Sequence, residues 1–263
     1  MGLGQVKRIV RGLVPPKYRA AVKYGLFNPI RSIPYRGAGV ECPCCGGRFR
    51  RFMDNPRDKR REAMCPRCEA MERHRLLMHF MMHRTNFFSA KLKVIDFAPM
   101  YAMMRRFKAL PNLDYLSVDL SLAWVDQRVD ITRIPHPDQS FDAVVCYHVL
   151  EHVPDHRKGM EELFRVLRPG GWGIIQPPVD MNRADTLEDP AIASPGDRLR
   201  MYGHSDHKRL YGRDYSGMLE ETGFKVEIIP YLDTFSGDEK RRFGLVQQSG
   251  LADDRHIFLS TKP

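Results

Sequence analysis

From Lys91 onward, short apolar runs alternate with stretches of helical periodicity, and that alternation admits few folds. Leu92–Phe97 (LKVIDF), Tyr115–Leu120 (YLSVDL), a short run ending at Asp130 (RVDI), Phe141–Tyr147 (FDAVVCY) and Trp172–Gln176 read as strands. Phe224–Tyr231 and His256–Thr261 read as two closing strands. Helical patterns run from about Asp155 to Leu167 and, as the last helix, from Asp214 to Thr222. Arg168-Pro-Gly-Gly171 stops the first and Gly223 the second, because proline and glycine cannot continue a helix. Strands alternating with helices build βαβ units, so the pattern predicts an α/β chain with a doubly wound, mainly parallel, seven-stranded sheet.

Ahead of that core lies a cysteine-rich segment. Five of the six cysteines, Cys42, Cys44, Cys45, Cys65 and Cys68, fall within 27 residues, while Cys146 sits far away in an apolar run. A secreted disulfide framework would spread them more evenly and accompany a signal peptide. Cys42-x2-Cys45 and Cys65-x2-Cys68 instead have the spacing of a zinc ribbon, in which each knuckle brings two thiolates to one ion. Gly46-Gly47 supplies backbone freedom at the first knuckle. Cys44 could replace Cys45 as a ligand or be spare; the alternative for the whole set is reduced, unliganded thiols. Four cysteine ligands close the coordination shell, so such a zinc would be structural.

Charge is concentrated at the same end. Residues 1–61 hold 15 Lys and Arg against the acids Glu41, Asp54 and Asp58, whereas the rest is close to neutral although the whole chain carries +10. A basic end suits an anionic partner such as RNA, an anionic membrane surface or an acidic substrate; a solubilising arm is the plainer alternative. Val6, Ile9, Val10 and Leu13 share one helical face among Lys7, Arg8 and Arg11, and those charges interrupt any signal-peptide core. Asn28, Pro29, Ser32, Pro34 and Gly37 mark a loop. No apolar run spans a bilayer, which points to a cytoplasmic protein, peripheral to the membrane at most. Met71, Leu76, Leu77, Phe80 and Met81 give an apolar face to a packing helix from about Ala70 to Phe88.

The run FDAVVCYHVLEHVPDHRKGMEELFRVLRPGGWGIIQPP, residues 141–178, closely resembles the fourth-to-fifth-strand segment of class I S-adenosylmethionine-dependent methyltransferases. The likeness extends from Lys93 to Pro263, and the CPxC…CPxC…ERHR arrangement before it looks like a bacterial subgroup with a preceding ribbon. The resemblance implies a Rossmann-like fold, S-adenosylmethionine as cofactor, and four segments: a basic arm (1–40), a zinc ribbon (41–69), a connecting helix (70–90) and a methyltransferase domain (91–263). It implies that Asp96 lies near the methionine ammonium, that Asp119 with Leu120 beside it holds the ribose, that Asp130 and Ile131 meet the adenine, and that Tyr147 stands beside the cofactor. Physics supports the ribose assignment, since ligands of open parallel sheets sit beyond the carboxyl ends of the strands, where a carboxylate can accept both ribose hydroxyls.

One motif departs from the family. Where acid-x-Gly-x-Gly-x-Gly is usual, this chain reads Asp96-Phe-Ala98-Pro-Met100-Tyr-Ala102, which reshapes the methionine pocket or abolishes binding. A second motif misleads: His148-x-x-Glu151-His152 matches a metalloprotease pattern, but it leaves a strand directly and meets Pro154, so no continuous helix can carry both histidines.

Methyl transfer to a hydroxyl needs a base, and the candidates are His148 and His207, with His204 a further histidine of the same segment. The aperiodic stretch 178–211, ending in His207, Arg209 and Tyr211, is expected to be an acceptor lid. The acceptor is a hydroxyl or amine of a small molecule or glycan. Two alternatives stay open: an RNA methyltransferase that binds through Arg48, Arg50, Arg51, Arg57, Lys59, Arg60 and Arg61 with Phe49 and Phe52 as stacking platform, and a non-catalytic ribbon adaptor on this scaffold.

Overall fold

The computed structural model describes residues 14–56, 59–245 and 255–263. The segment around Val6, Ile9, Val10 and Leu13 lies outside the described residues, as does Arg57.

The described chain opens with helices α1 (Pro16–Val22) and α2 (Asn28–Ser32), joined by a wide π turn. The expected loop at Asn28–Pro34 is therefore helical. Pro29 falls in the first turn of α2, where a missing N–H costs nothing, so proline punctuates here without breaking the helix. Strands β1 (Arg36–Cys42) and β2 (Gly47–Phe49) form an antiparallel hairpin that carries the first cysteine knuckle at its turn.

Helix α3 (Glu72–Arg84) follows the second knuckle and buries Leu76, Leu77, Met78, Phe80 and Met81. These side chains join Phe87, Phe107, Val94 and Val145 in one apolar cluster, so α3 covers a face of the main sheet while holding the ribbon at its N-terminal end. Burying each such side chain contributes roughly 1.5–3 kcal/mol.

The main sheet comprises β3 (Leu92–Phe97), β4 (Leu113–Asp119), β5 (Gln127–Arg128), β6 (Phe141–Tyr147), β7 (Leu167–Gln176), β8 (Lys225–Ile229) and β9 (Ile257–Thr261), in the spatial order β5-β4-β3-β6-β7-β9-β8. The first five strands are parallel, and β9 enters antiparallel to both neighbours. After β3 the chain winds outward through β4 and β5, then returns to place β6 on the other side of β3. That reversal is the switch point of a doubly wound sheet, and ligands of such sheets bind beyond the carboxyl ends of the strands there, here β3 and β6. β6 is buried along nearly its whole length, which explains why FDAVVCY reads as a continuous apolar run.

Helix α4 (Tyr101–Lys108) packs beside α3, whereas α5 (His156–Val166) and α7 (Tyr215–Glu220) cover the opposite face through Met160, Leu163, Val166, Tyr215 and Leu219. Asp155 caps α5 by accepting the Lys158 N–H at 3.0 Å. The helix ends at Val166, and β7 starts at once, five residues earlier than the expected strand. Gly171 is required within it, because a Cβ there would meet the carbonyl oxygens of Arg168 and Asp142 at 2.9 Å.

Three further expectations need correction. Asp214–Thr222 is not the last helix: α8 (Gly237–Phe243) follows, started by a capping box between Ser236 and Glu239. The stretch 178–211 contains helix α6 (Pro195–Tyr202), capped by Ser194 and closed by Gly203 at φ +81°. β5 ends at Arg128, so Asp130 lies two residues beyond the strand in a turn bridged to Arg133.

Candidate functional site

The crevice is framed first by β3. Asp96 is buried, and its Oδ2 accepts the Tyr115 hydroxyl of β4 at 2.5 Å. Burial pushes its pKa up to about 7, against the lowering effect of that hydrogen bond. The turn that follows retains a glycine-like shape without glycine: Ala98 sits at φ +49°, and its N–H donates to the Val118 carbonyl at 2.9 Å. Left-handed backbone costs a non-glycine residue about 1–2 kcal/mol, and such strain gathers where structure serves a ligand. Met100 and Ala102, at the other two glycine positions, enter α4 directly.

At the end of β4, Asp119 accepts through Oδ1 the N–H groups of Ser121 and Leu122, both at 2.6 Å. Leu120 is 67% exposed beside it. Asp130 similarly braces its own turn, accepting the N–H and hydroxyl of Thr132 at 2.9 and 2.8 Å. Ile131 is buried in the core near Gly159 of α5, so little of its side chain is available to a ligand.

β6 supplies the third wall. Tyr147 is buried, and its hydroxyl donates to the Arg73 carbonyl at 3.4 Å, tying the strand end to the start of α3. His148 stands in the turn at φ +58° with its Nδ1 3.5 Å from Oε1 of Glu151. The His-x-x-Glu-His run is not one helix: Leu150–His152 forms a single 3₁₀ turn before Pro154.

Around the buried Glu151 carboxylate the structure gathers histidines far apart in sequence. The Nε2 atoms of His152 and His207 each lie 3.9 Å from its Oε1. Burial, with His152 and His204 alongside, pushes His207 down to about 4, so it is neutral at pH 7. Arg209, expected to face an acceptor, is fully buried instead. It donates to the carbonyls of Leu150, Val153 and Pro154 at 2.6–2.9 Å and to Glu188 at 2.7 and 2.9 Å. It clamps the 178–211 segment onto the turn after β6. Bridges Val179↔Tyr211 and Leu187↔Leu210 fold that segment back on itself.

At the ribbon, the four thiols of Cys42, Cys45, Cys65 and Cys68 lie within 4.8 Å of one another. Sγ separations of 3.6 Å (Cys42–Cys68) and 3.8 Å (Cys45–Cys65) match the edges, about 3.8 Å, of a tetrahedron with 2.3 Å Zn–S bonds. The cluster fits a small zinc site. Cys44 turns away, its thiol donating to the His74 carbonyl at 3.3 Å, which leaves Cys45 in the cluster.

A family described as "Methyltransferase domain" matches residues 84–175, the stretch from the end of α3 through β7. Together with the strand order, that match marks a methyltransferase domain within the chain. The chain carries a class I S-adenosylmethionine-dependent methyltransferase domain. It is similar to a probable S-adenosylmethionine-dependent methyltransferase of Mycolicibacterium smegmatis, 36% identical over 105 residues that cover 38% of this chain and 37% of that protein. It is also similar to a demethylmenaquinone methyltransferase of a Mycobacterium species, 55% identical over 46 residues, 18% of this chain and 20% of the relative. The chain thus spans 37% and 20% of these relatives' length. Among solved structures, the [4+2]-cyclase SpnF aligns over 95% of this chain and 98% of its own, at 14% identity and a TM-score of 0.51. That likeness shows the fold alone.

Sequence reasoning overlooked several residues that organise the methyltransferase domain and its junction with the ribbon. Tyr115 carried no signal except alternation with Ser117 on β4. Glu151 was read as part of the family-like 141–178 run and of the misleading His-x-x-Glu-His motif, with no role of its own. Arg75 of the ERHR run is fully buried, donating to the carbonyls of Ala63, Ala70, Phe243 and Gly244 at 2.6–2.9 Å, and so locks the ribbon to α8.

Proposed function

We propose that this chain is an S-adenosylmethionine-dependent methyltransferase acting on a hydroxyl or amine of a small molecule or glycan. The observation that carries the reading is the row formed by Asp119, Asp96 and His148 at the carboxyl ends of the adjacent strands β4, β3 and β6, around the switch point. When bound, S-adenosylmethionine supplies a methyl group already activated on a sulfonium. Asp96 is suited to the methionine ammonium, Asp119 to the ribose hydroxyls beside the exposed Leu120, and Asp130 to the adenine edge. His148, held by Glu151 and partly exposed, is suited to take the acceptor's proton; His207 faces Glu151 rather than the open crevice. We assign the cysteine cluster to a structural zinc, since four thiolates leave no open position.

The ribbon argues against RNA as acceptor. Phe49 and Phe52 are buried in its core and offer no stacking face. Arg48, Arg51 and Arg60 face Glu41, Glu62 and Glu72. Leu26, Ile30 and Ile33 lie exposed along the N-terminal helices, in the basic end of the chain, and support contact with an anionic membrane surface. Among the described residues no helix is long and apolar enough to cross a membrane.

The test is transfer of labelled methyl from S-adenosylmethionine into fractionated small molecules, glycans and RNA. Label should enter a non-nucleic fraction, and His148→Ala should lower the rate by about 100-fold or more while leaving S-adenosylhomocysteine affinity unchanged. Label confined to RNA would overturn the acceptor class.

A further inference from the structure

Glu151 has only the task of holding His148 in the steps above; with His152 and His207, which have no part in those steps, its geometry is that of a ligand set. Oε1 of the buried Glu151 lies 3.9 Å from Nε2 of His152 and 3.9 Å from Nε2 of His207, and the ligand atoms of all three fall within 4.8 Å of one another. At 3.9 Å these are not hydrogen bonds. Ligand atoms about 2.1 Å from one ion at a tetrahedral angle would stand about 3.4 Å apart, so a few tenths of an ångström of side-chain adjustment would bring all three to a shared centre.

The far side of each imidazole is already fixed as metal-bound histidines require. Nδ1 of His207 lies 3.2 Å from the Tyr202 carbonyl, which can only accept, so Nδ1 carries the hydrogen and Nε2 turns a lone pair toward Glu151. Nδ1 of His152 faces Oδ2 of Asp206 at 3.3 Å, which gives the arrangement carboxylate, imidazole, common point. His204 and Asp206 stand behind His207, and their ligand atoms also lie within 4.8 Å of its own. Arg209 holds the turn that carries Glu151 and His152 by its bonds to Leu150, Val153 and Pro154, so the ligands sit on a braced frame.

We propose that Glu151, His152 and His207 bind one divalent first-row transition-metal ion, a second metal site separate from the cysteine ribbon. Two imidazoles and a carboxylate suit zinc or iron and leave coordination positions open. Those positions would lie by the turn of His148, beyond the end of β6, where an acceptor oxygen could be held. That role rests on the methyltransferase reading; the binding of the ion does not.

The experiment is a zinc count on the full chain by mass spectrometry after equilibrium dialysis against micromolar Zn2+, with neither cofactor nor acceptor present. Glu151→Gln preserves shape and His152 is half-buried, so both variants keep the fold, and zinc retained by the ribbon reports that they do. The expected result is one zinc per chain fewer in Glu151→Gln and in His152→Ala than in the unaltered protein, with affinity at the lost site weakened at least about tenfold. A count of two falling to one supports both metal sites, and a count of one falling to zero, with the far-ultraviolet circular dichroism of the variants unchanged, supports this site against the ribbon. An identical count in the unaltered chain and both variants overturns the proposal. So does a loss produced by Asp206→Asn but by neither of them, since the ion would then sit on the outer pair.

Discussion

The hydroxyl of Tyr115 donates to Oδ2 of Asp96 at 2.5 Å, binding β4 to the acid at the end of β3 in a place closed to water. Burial outweighs that bond and pushes Asp96 up to about 7 from an ordinary 3.8. The folded chain therefore holds a proton that the unfolded chain gives up near pH 4. Stability attributable to Asp96 falls as pH rises between about 4 and 7 and is level above that, with an upper bound of about 4 kcal/mol. Asp96→Asn should remove this slope, as urea denaturation at a series of pH values would show. A slope unchanged by the substitution contradicts the account. A cationic ammonium beside Asp96 would pull its pKa down, so S-adenosylhomocysteine binding near pH 6.5 should release a proton, seen as a buffer-dependent calorimetric enthalpy.

Ala98 at φ +49° holds the turn that glycine usually makes in this family. Ala98→Gly relieves the left-handed strain but loosens the unfolded chain, which leaves a net gain of up to about 1 kcal/mol. Ala98→Val should cost more than 1 kcal/mol, because a β-branched residue tolerates positive φ poorly. Thermal denaturation of the pair checks both signs.

Arg75 gives its guanidinium to four backbone carbonyls and stacks its charge 4.1 Å from the centre of the Phe52 ring. Arg75→Ala should destabilise by about 3 kcal/mol or more, since those carbonyls lose their donors in a buried place. Arg75→Lys should recover little, because a single ammonium cannot reach all four. Denaturant midpoints measure the two, and full rescue by lysine would contradict the assigned role.

Cys44 and Cys45 are adjacent but differ in task. Cys44→Ala should leave ribbon zinc intact, whereas Cys45→Ser should lose it and destabilise the N-terminal half. Metal content after dialysis distinguishes them, and zinc lost on Cys44→Ala would reassign the ligand.

Much of the sheet was legible because its strands are local: FDAVVCY and LKVIDF are buried along their length and announce themselves as apolar runs. The paired cysteine spacing was legible for the same reason. Elements set by distant contacts were not. Nothing within 178–211 announces that Leu187 will pair with Leu210, or that Arg209 will spend its donors on Leu150, Val153 and Pro154. His207 meets Glu151 only through that folding-back, so the histidine cluster had no signature in the spacing. Asp130 was displaced from its strand end because its side chain bonds Thr132 and turns the chain early. The exclusion of Cys44 depended on the His74 carbonyl, thirty residues away.

The central claim is that the crevice at the ends of β3, β4 and β6 binds S-adenosylmethionine, and calorimetric titration with S-adenosylhomocysteine tests it most directly. The account predicts one site per chain in the unaltered protein and at least a tenfold weaker one in Asp119→Ala, which loses charge-assisted hydrogen bonds of about 1.5–3 kcal/mol each. Absence of binding to the unaltered chain, or equal affinity in the variant, would contradict it and leave the methyltransferase domain as a scaffold.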